Sequence, residues 1–264
     1  MGKLSSLLKK ALDALVPNKR NATTTSAIIV AGGSSTRMGG TITKQMLEIC
    51  GKPVVVHTLL AFENTPEISE IIVVAKKEET ELYKDFKKTY NLTKLKRVVV
   101  GGDTRQHSVA NGFSAISEKS NFVAIHDGAR CLITPDEISA VCNAAYIHDA
   151  ATAAARAIDT IKLGTSSGFI EKTVDRNTVW HAQTPQIFST ALYNAALAIC
   201  ERDKVSVTDD CSMAEYINHP IKLVECSSTN MKITTADDII HATAIIRKRN
   251  TADTKTEKAE ENKK

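Results

Sequence analysis

Short apolar runs alternate with longer amphipathic segments through most of this chain. The apolar runs lie at 27–31, 71–75, 97–100 and 122–126 and, less clearly, at 151–157. Segments with helical periodicity lie near 54–64, 78–90, 108–117 and 135–148. Buried strands that alternate with helices are typical of a mostly parallel sheet covered on both faces. The pattern therefore predicts an α/β fold.

A turn rich in glycine and serine follows the first apolar run, in SAIIVAGGSSTRMGGTITKQ (residues 26–45). Backbone N–H groups in such a turn can converge on an anion, and Arg37 and Lys44 add positive charge. The spacing fits neither the Walker loop nor the dinucleotide fingerprint G-x-G-x-x-G. A nucleotide-phosphate loop with its own cations is predicted. An ordinary strand-to-helix turn is the alternative that the loop alone leaves open.

Glycines and charged residues also follow two later runs, at 101–103 and 127–130. In open parallel sheets, ligands bind outside the carboxyl ends of the strands. We therefore expect these two segments and the turn at 32–37 to meet at one edge of the sheet and form a single site.

Charge and cysteine content narrow the class of protein. Residues 1–20 hold five of the 34 Lys and Arg and one of the 30 Asp and Glu, so 29 of each sign remain elsewhere. This neutral body argues against a nucleic-acid surface. The six cysteines include no C-x-x-C pair, which fits a reducing, cytoplasmic compartment without a zinc site or disulfide framework. No apolar run approaches the ~20 residues of a membrane span.

The two ends differ from the body in composition. Leucines recur at helical spacing in the N-terminal extension, residues 1–25, which predicts either an amphipathic helix or a loosely attached tail. Mixed charge without large apolar residues predicts a disordered tail at 249–264. Within the body, two runs flank the turn LGTSSG and predict a projecting β-hairpin at about 158–176. A dimer arm and a solvent-exposed excursion are both open for it.

Six motifs occur in a fixed order: AGGSSTRM followed by KQ, GGDTRQHSV, HDGAR, TVDRNTVWHAQTPQ, VTDD and TNMKITTADD. Together they resemble the 2-C-methyl-D-erythritol 4-phosphate cytidylyltransferase family of non-mevalonate isoprenoid synthesis, over about residues 26–248. Ribitol-5-phosphate cytidylyltransferases share several of these elements and are the nearest alternative. A nucleotide-binding module without turnover is an alternative of another class.

The resemblance implies a Rossmann-like nucleotidyltransferase fold with a mostly parallel sheet and a β-hairpin dimerisation arm. It implies transfer of the cytidylyl group of CTP to 2-C-methyl-D-erythritol 4-phosphate in a homodimer. Arg37 and Lys44 would stabilise charge in the transition state, and Lys232 would bring the α-phosphate and the incoming phosphate together. The implied sugar-phosphate site consists of Thr160, Arg176, Thr184 and Thr208, with Arg176 supplied to a neighbouring subunit.

The nucleotide side of the implied site is built from small residues and two carboxylates. Its members are Ala31, Gly32, Gly33, Gly102, Asp103, Ser108, Asp127 and Gly128. Asp127 is the expected Mg²⁺ ligand. Relatives often carry a second Asp shortly before the position of Lys232, where this chain reads STN at 228–230. The attacking phosphate is already an anion, so His126, His181 and Trp180 are expected to pack or hydrogen-bond rather than transfer protons.

Overall fold

The computed structural model describes residues 23–33 and 43–261 of the 264. The strands of this part are β1 (Thr25–Val30), β2 (Glu48–Ile49), β3 (Lys52–Pro53), β4 (Ile68–Ala75), β5 (Leu95–Val100), β6 (Phe122–Asp127), β7 (Ala150–Arg156), β8 (Lys162–Gly164), β9 (Ile170–Thr173), β10 (Trp180–Ser189) and β11 (Lys222–Glu225). A seven-stranded sheet of order β11-β7-β10-β6-β1-β4-β5 organises the fold.

The helices are α1 (Val54–Glu63), α2 (Thr80–Thr89), α3 (Arg105–Phe113), α4 (Pro135–His148), α5 (Thr190–Arg202), α6 (Asp210–Tyr216) and α7 (Ala236–Glu261). Short 3₁₀ turns lie at Lys77–Glu79 and Arg176–Thr178. None of the helices described is both long and apolar enough to cross a membrane.

Most neighbouring strands of the sheet are parallel. Strand β1 pairs in parallel with β4 and β6, β4 with β5, and β11 with β7. Among the seven strands described in this sheet, only β10 is antiparallel to its neighbours, β6 and β7. The apolar periodicity predicted this mostly parallel α/β fold and five strands of the sheet, with bounds shifted by a few residues, but it predicted neither β10 nor β11.

Helices cover both faces of the sheet. Successive residues of its central strands point to opposite sides, so each strand supplies apolar side chains to both faces. Ile29 of β1 packs in a cluster with Phe62 of α1 and Tyr83 of α2. Its neighbour Ile28 packs on the other face, in a cluster with Tyr193 of α5. Continuous apolar strands are therefore stabilised by helices on both sides, which leaves the strand ends free to form a site.

The predicted hairpin is present as the antiparallel pair β8–β9. Its strands are shorter than the two runs in the sequence, and every residue of both strands is exposed. Phe169, just before β9, and Ile170, its first residue, are 73% and 68% exposed. Whether the hairpin serves as a dimer arm remains a prediction.

The C-terminal residues differ from the disordered tail expected at 249–264. Helix α7 continues to Glu261, so residues 249–261 are helical. Lengthening an existing helix avoids the cost of nucleation, and the alanines, lysines and glutamates of this segment favour helix. The N-terminal extension to residue 22 lies outside the described residues.

Candidate active site

A cleft of about 420 Å³ lies at the carboxyl ends of β1, β5 and β6. The sequence predicted a site at this edge. The residues that line the cleft are Val30, Gly32, Gly33, Lys44, Gln45, Gly102, Asp103, Thr104, Arg105, Ser108, Asp127, Ala129 and Lys232. Eight of the residues expected to bind substrate or stabilise charge are among them. Arg37 lies in the segment 34–42, which the structure does not describe.

Three cations surround the carboxylate of Asp127, the last residue of β6, in this cleft. Its Oδ2 lies 2.9 Å from Lys232 Nζ and 3.5 Å from Arg130 Nε, and its Oδ1 lies 3.8 Å from Arg105 Nε. Burial raises the pKa of Asp127, but Lys232, Arg105 and Arg130 outweigh burial and lower that pKa to about 2. The carboxylate is therefore ionised at neutral pH.

A hydrogen bond to a side chain of β10 fixes the backbone of Asp127. Its N–H donates to Thr184 Oγ1 at 3.1 Å, and Thr184 Oγ1 is 3.0 Å from His126 Nδ1. His126 is fully buried and packs against the ring of Phe62, with 5.0 Å between the ring centres. Burial lowers the pKa of His126 to about 4, so the imidazole is neutral at pH 7. This environment suits a hydrogen-bonding and packing role.

The loop between β5 and α3 forms the opposite wall. Thr104 caps α3, since its Oγ1 accepts from His107 N at 3.0 Å. Ser108 Oγ accepts from Gly102 N at 3.0 Å and also lies 3.2 Å from Gly102 O. A Cβ on Gly102 would lie 2.5 Å from His107 Cβ, so this close approach requires glycine. The loop thus presents Gly102 and Asp103 at a fixed place beside the cleft.

Sequence reasoning missed two charged residues that form an ion pair at this wall, one lining the cleft and one buried. Arg105 begins α3 and borders the cleft, and its Nη1 lies 2.7 Å from Oδ2 of Asp210. Asp210 is buried and begins α6. Both residues stand inside motifs that the sequence displays, GGDTRQHSV and VTDD, but nothing in either motif reveals that they pair.

Asn230 explains how the segment before Lys232 is fixed. Its Nδ2 donates to Gln183 Oε1 at 3.0 Å and to Thr184 O at 2.9 Å. Its backbone carbonyl accepts from Arg130 Nη1 at 2.9 Å. The side chain is fully buried in these contacts. In this segment, therefore, Asn230 supplies structural hydrogen bonds to β10, and a second carboxylate for a metal is not supplied.

The other predicted residues lie beside or away from the cleft. Ala31 and Gly128 are neighbours of the lining residues and are fixed by backbone hydrogen bonds, Ala31 N to Val74 O at 2.7 Å and Gly128 N to Val30 O at 2.9 Å. Thr184 accepts a hydrogen bond from the backbone N–H of Asp127 and does not line the cleft. The remaining three are exposed and do not line the cleft of their own chain: Thr160, Arg176 and Thr208. Their roles remain predictions.

The chain is similar to enzymes of one family along most of its length. The family model for 2-C-methyl-D-erythritol 4-phosphate cytidylyltransferase (IspD) matches residues 25–248. The chain belongs to this family. A cytidylyltransferase of this name from Syntrophus aciditrophicus is 43% identical over 84% of this chain and 95% of its own length. One from Caldanaerobacter subterraneus is 41% identical over 84% of this chain and 99% of its own length.

The fold agrees with solved structures of the family. The crystal structure of 4-diphosphocytidyl-2C-methyl-D-erythritol synthase from Anaerococcus prevotii matches with a TM-score of 0.78 and 30% identity. The match covers 87% of this chain and 99% of that one. The resemblance read from the six motifs is confirmed, as are the nucleotidyltransferase fold with its mostly parallel sheet and the assignment as a cytidylyltransferase.

Proposed function

We propose that this chain transfers the cytidylyl group of CTP to 2-C-methyl-D-erythritol 4-phosphate, which gives 4-diphosphocytidyl-2-C-methyl-D-erythritol and pyrophosphate for isoprenoid synthesis. Membership in the family supports this reaction. The observation that carries it is the cleft at the strand ends, which is lined by Lys44, by two glycine-containing loops and by the ionised Asp127 with its partner Lys232.

The chemistry requires positioned charge rather than a general base. A phosphate oxygen of the sugar phosphate attacks the α-phosphorus of CTP, so a new P–O bond forms there. The bond from the α-phosphorus to the oxygen that bridges to the β-phosphate breaks, and pyrophosphate leaves with that electron pair. Negative charge builds on the α-phosphoryl oxygens and on pyrophosphate, and fixed cations lower the barrier by stabilising it. The neutral, buried His126 is consistent with a mechanism without proton transfer.

The residues of this chain divide the task between them. The backbone at Gly32 and Gly33 would approach the triphosphate closely, and Lys44, which lines the same cleft, would supply a point charge. Arg37 would add a guanidinium that grips two phosphate oxygens. Lys232 draws the α-phosphate and the incoming phosphate together. On the wall between β5 and α3, Asp103 would accept from the ribose hydroxyls and Ser108 holds Gly102 in place.

Asp127 fits a Mg²⁺ ion that arrives with CTP. The carboxylate is ionised and borders the cleft. No group of three or more His, Cys, Asp or Glu in 23–33 and 43–261 is placed to hold a metal. Proteins usually hold Mg²⁺ with one or two carboxylates together with substrate phosphates and water. When bound in this way, the ion supplies positive charge to the phosphates.

The hairpin favours a homodimer in which Arg176 serves the neighbouring site. Arg176 Nη1 donates to Ile158 O at 3.0 Å, at the base of the hairpin, and Arg176 is not among the residues that line the cleft of its own chain. Phe169 and Ile170 expose apolar surface that a second subunit would cover. In such a dimer, Thr160 and Arg176 of one subunit would join Thr184 and Thr208 of the other around the sugar phosphate.

The six free cysteines support a cytoplasmic location, because five of them are buried without a disulfide partner and match a reducing compartment.

Pyrophosphate release from CTP tests the function. The purified chain is assayed with Mg²⁺ and 2-C-methyl-D-erythritol 4-phosphate, and the CDP product is identified by mass. Ribitol 5-phosphate is the control acceptor, and UTP, ATP and GTP are the control donors. We expect the highest kcat/KM with CTP and the methylerythritol phosphate. A higher value with ribitol 5-phosphate would reassign the acceptor, and no release with any acceptor would favour a module without turnover.

A further inference from the structure

Arg105 lies between two carboxylates that come from distant parts of the chain. Its Nη1 is 2.7 Å from Asp210 Oδ2, and its Nε is 3.8 Å from Asp127 Oδ1. The Arg105 side chain is 31% exposed, against 12% for Asp127 and 2% for Asp210. One guanidinium therefore connects the carboxylate in the cleft with a second carboxylate buried behind it.

Asp210 depends on this contact for its charge. Its Oδ1 accepts from Tyr193 OH at 3.0 Å, and among the described residues Arg105 is the cation that pairs with it. Burial raises the pKa of Asp210, and Arg105 opposes that rise. Leaving a buried carboxylate without its cation is strongly unfavourable. Arg105 and Asp210 thus form a unit, in which loss of one member disturbs the other.

Gln186 fixes the turn that carries Thr208, through the backbone of Asp210 and the side chain of Asp209. Gln186 Oε1 accepts from Asp210 N at 2.9 Å, and Gln186 Nε2 donates to Asp209 Oδ2 at 2.7 Å. Thr208 precedes these two aspartates directly. The Arg105–Asp210 pair therefore joins the loop of the nucleotide side to the turn expected on the sugar-phosphate side.

The position of Arg105 on α3 is unfavourable by itself. A cation in the first turn of a helix faces the positive end of the helix dipole. The loop before α3 is already held by Thr104 and Ser108, so a structural cap does not require an arginine here. The benefit must come from the two carboxylates that the guanidinium reaches.

We propose that Arg105 is a positioning residue, a guanidinium bridge between Asp127 and Asp210 that keeps the nucleotide loop, the central carboxylate and the Thr208 turn in one arrangement. This rests on the proposed function for its kinetic consequence. A planar fork can meet two carboxylates at once, whereas a lysine at the same place supplies a single point charge.

The test is a set of variants measured for kcat, for both KM values and for Tm. The variants are Arg105→Met, Arg105→Lys, Asp210→Asn and the double variant R105M/D210N. Arg202→Met is the matched control, since Arg202 is exposed and pairs with its neighbour Asp203. We expect Arg105→Met to lower kcat by up to about 10²-fold, the loss known for a small misplacement of catalytic groups. KM for the sugar phosphate should rise more than KM for CTP, and Tm should fall.

The double variant and the lysine variant separate bridging from other roles. R105M/D210N should regain the Tm lost in Arg105→Met, because no buried charge is left unpaired, yet remain as slow. Arg105→Lys should regain Tm but not kcat. If Arg105→Met lowered kcat but left both KM values unchanged, the loss would reflect a smaller amount of folded protein and would overturn the proposal. So would full recovery of kcat in Arg105→Lys, or losses in Arg105→Met and Asp210→Asn that multiply in the double variant.

Inactivity of the wild-type chain with CTP and every sugar phosphate would refute the proposed function. In that case the Tm values decide on the bridge: recovery of Tm in the double variant supports it, and an additive loss overturns it.

Discussion

Replacing Gly102 with Ala should damage the nucleotide loop, although it adds a single methyl group. The new Cβ would lie 2.5 Å from His107 Cβ and 3.2 Å from the His107 carbonyl carbon. Carbon atoms in contact prefer ~3.5–4.0 Å, so the loop or the first turn of α3 must move by about 1 Å. Both atoms of His107 belong to the start of a helix, and neither can swing away as the end of a flexible side chain would.

The expected losses of activity and stability follow from the effect of this displacement on the loop. Gly102 N donates to Ser108 Oγ at 3.0 Å, so a shift of the loop breaks or lengthens that bond. Overpacking of this kind costs ~1–3 kcal/mol of unfolding free energy. A misplacement of about 1 Å can lower a catalysed rate by ~10²-fold. We therefore expect kcat/KM for CTP to fall by roughly 10- to 100-fold and the unfolding free energy to fall by ~1–3 kcal/mol.

The assay is steady-state pyrophosphate release with CTP varied at saturating sugar phosphate, together with urea unfolding. Gly164→Ala is the control, since a Cβ there meets only Phe169 O at 3.6 Å, an ordinary contact in the exposed hairpin. Its kcat/KM and unfolding free energy should match the wild-type values. If Gly102→Ala also matched the wild type in both measurements, the loop would accept the methyl group without moving, and the argument from close approach would be refuted.

Three further predictions concern charge in the site. Asp127 has a folded-state pKa of about 2, below its ordinary value of 3.8, so its stabilising charge is present above pH ~4 and is lost as pH falls toward 2. The difference in unfolding free energy between wild type and Asp127→Asn, from urea titrations, should stay constant above pH ~5 and shrink by about 2 kcal/mol by pH 2; an unchanged difference would contradict this. Lys44→Ala and Arg37→Ala should each lower kcat by ~10²-fold while CTP binding, measured by calorimetry, weakens less, and a change confined to KM would make the residue a binding group only. Co-refolding inactive Arg176→Ala with inactive Lys44→Ala should restore about a quarter of wild-type activity, since about half the dimers are mixed and each has one complete site; no recovery in proven mixed dimers would exclude a crossed arm.

The sequence predicts five strands of the sheet, β1, β4, β5, β6 and β7, and misses the antiparallel β10 and the mostly exposed edge strand β11. Strands β1, β4 and β6 are continuous apolar runs because helices cover both of their faces. Strand β10 is also buried through most of its length, but its buried residues include Gln183, Thr184 and Gln186. These side chains are polar because they hold Asn230, Asp127 and Asp210 by hydrogen bonds. Apolar periodicity indicates a buried strand only where the buried side chains are apolar, so it does not predict β10.

Some residues of the candidate site can likewise be predicted from the sequence, and others cannot. Loop residues such as Gly32 and Asp103 are predictable, because position after a buried strand suffices to place them at the ligand edge. Arg105 and Asp210 are not predictable by that rule. Each begins a helix, the two are 105 positions apart, and their pairing exists only once the fold brings the starts of α3 and α6 together. A cation in the first turn of a helix, contrary to the dipole, was the single local sign that Arg105 had a distant partner.

The two kinds of ion pair around Asp127 suit a site that must receive two anions. Lys232 is 39% exposed, and an exposed pair contributes little stability, so its Nζ can leave Asp127 for a phosphate at small cost. Arg105 is held on its other side by the buried Asp210, and the pair resists exchange because separating it would strand a buried charge. Asp127 can thus lose one cation to the substrates and stay ionised through the cations that remain. The cleft can therefore rearrange its charge when phosphates enter while the position of its central carboxylate is preserved, which is the preorganisation that phosphoryl transfer requires.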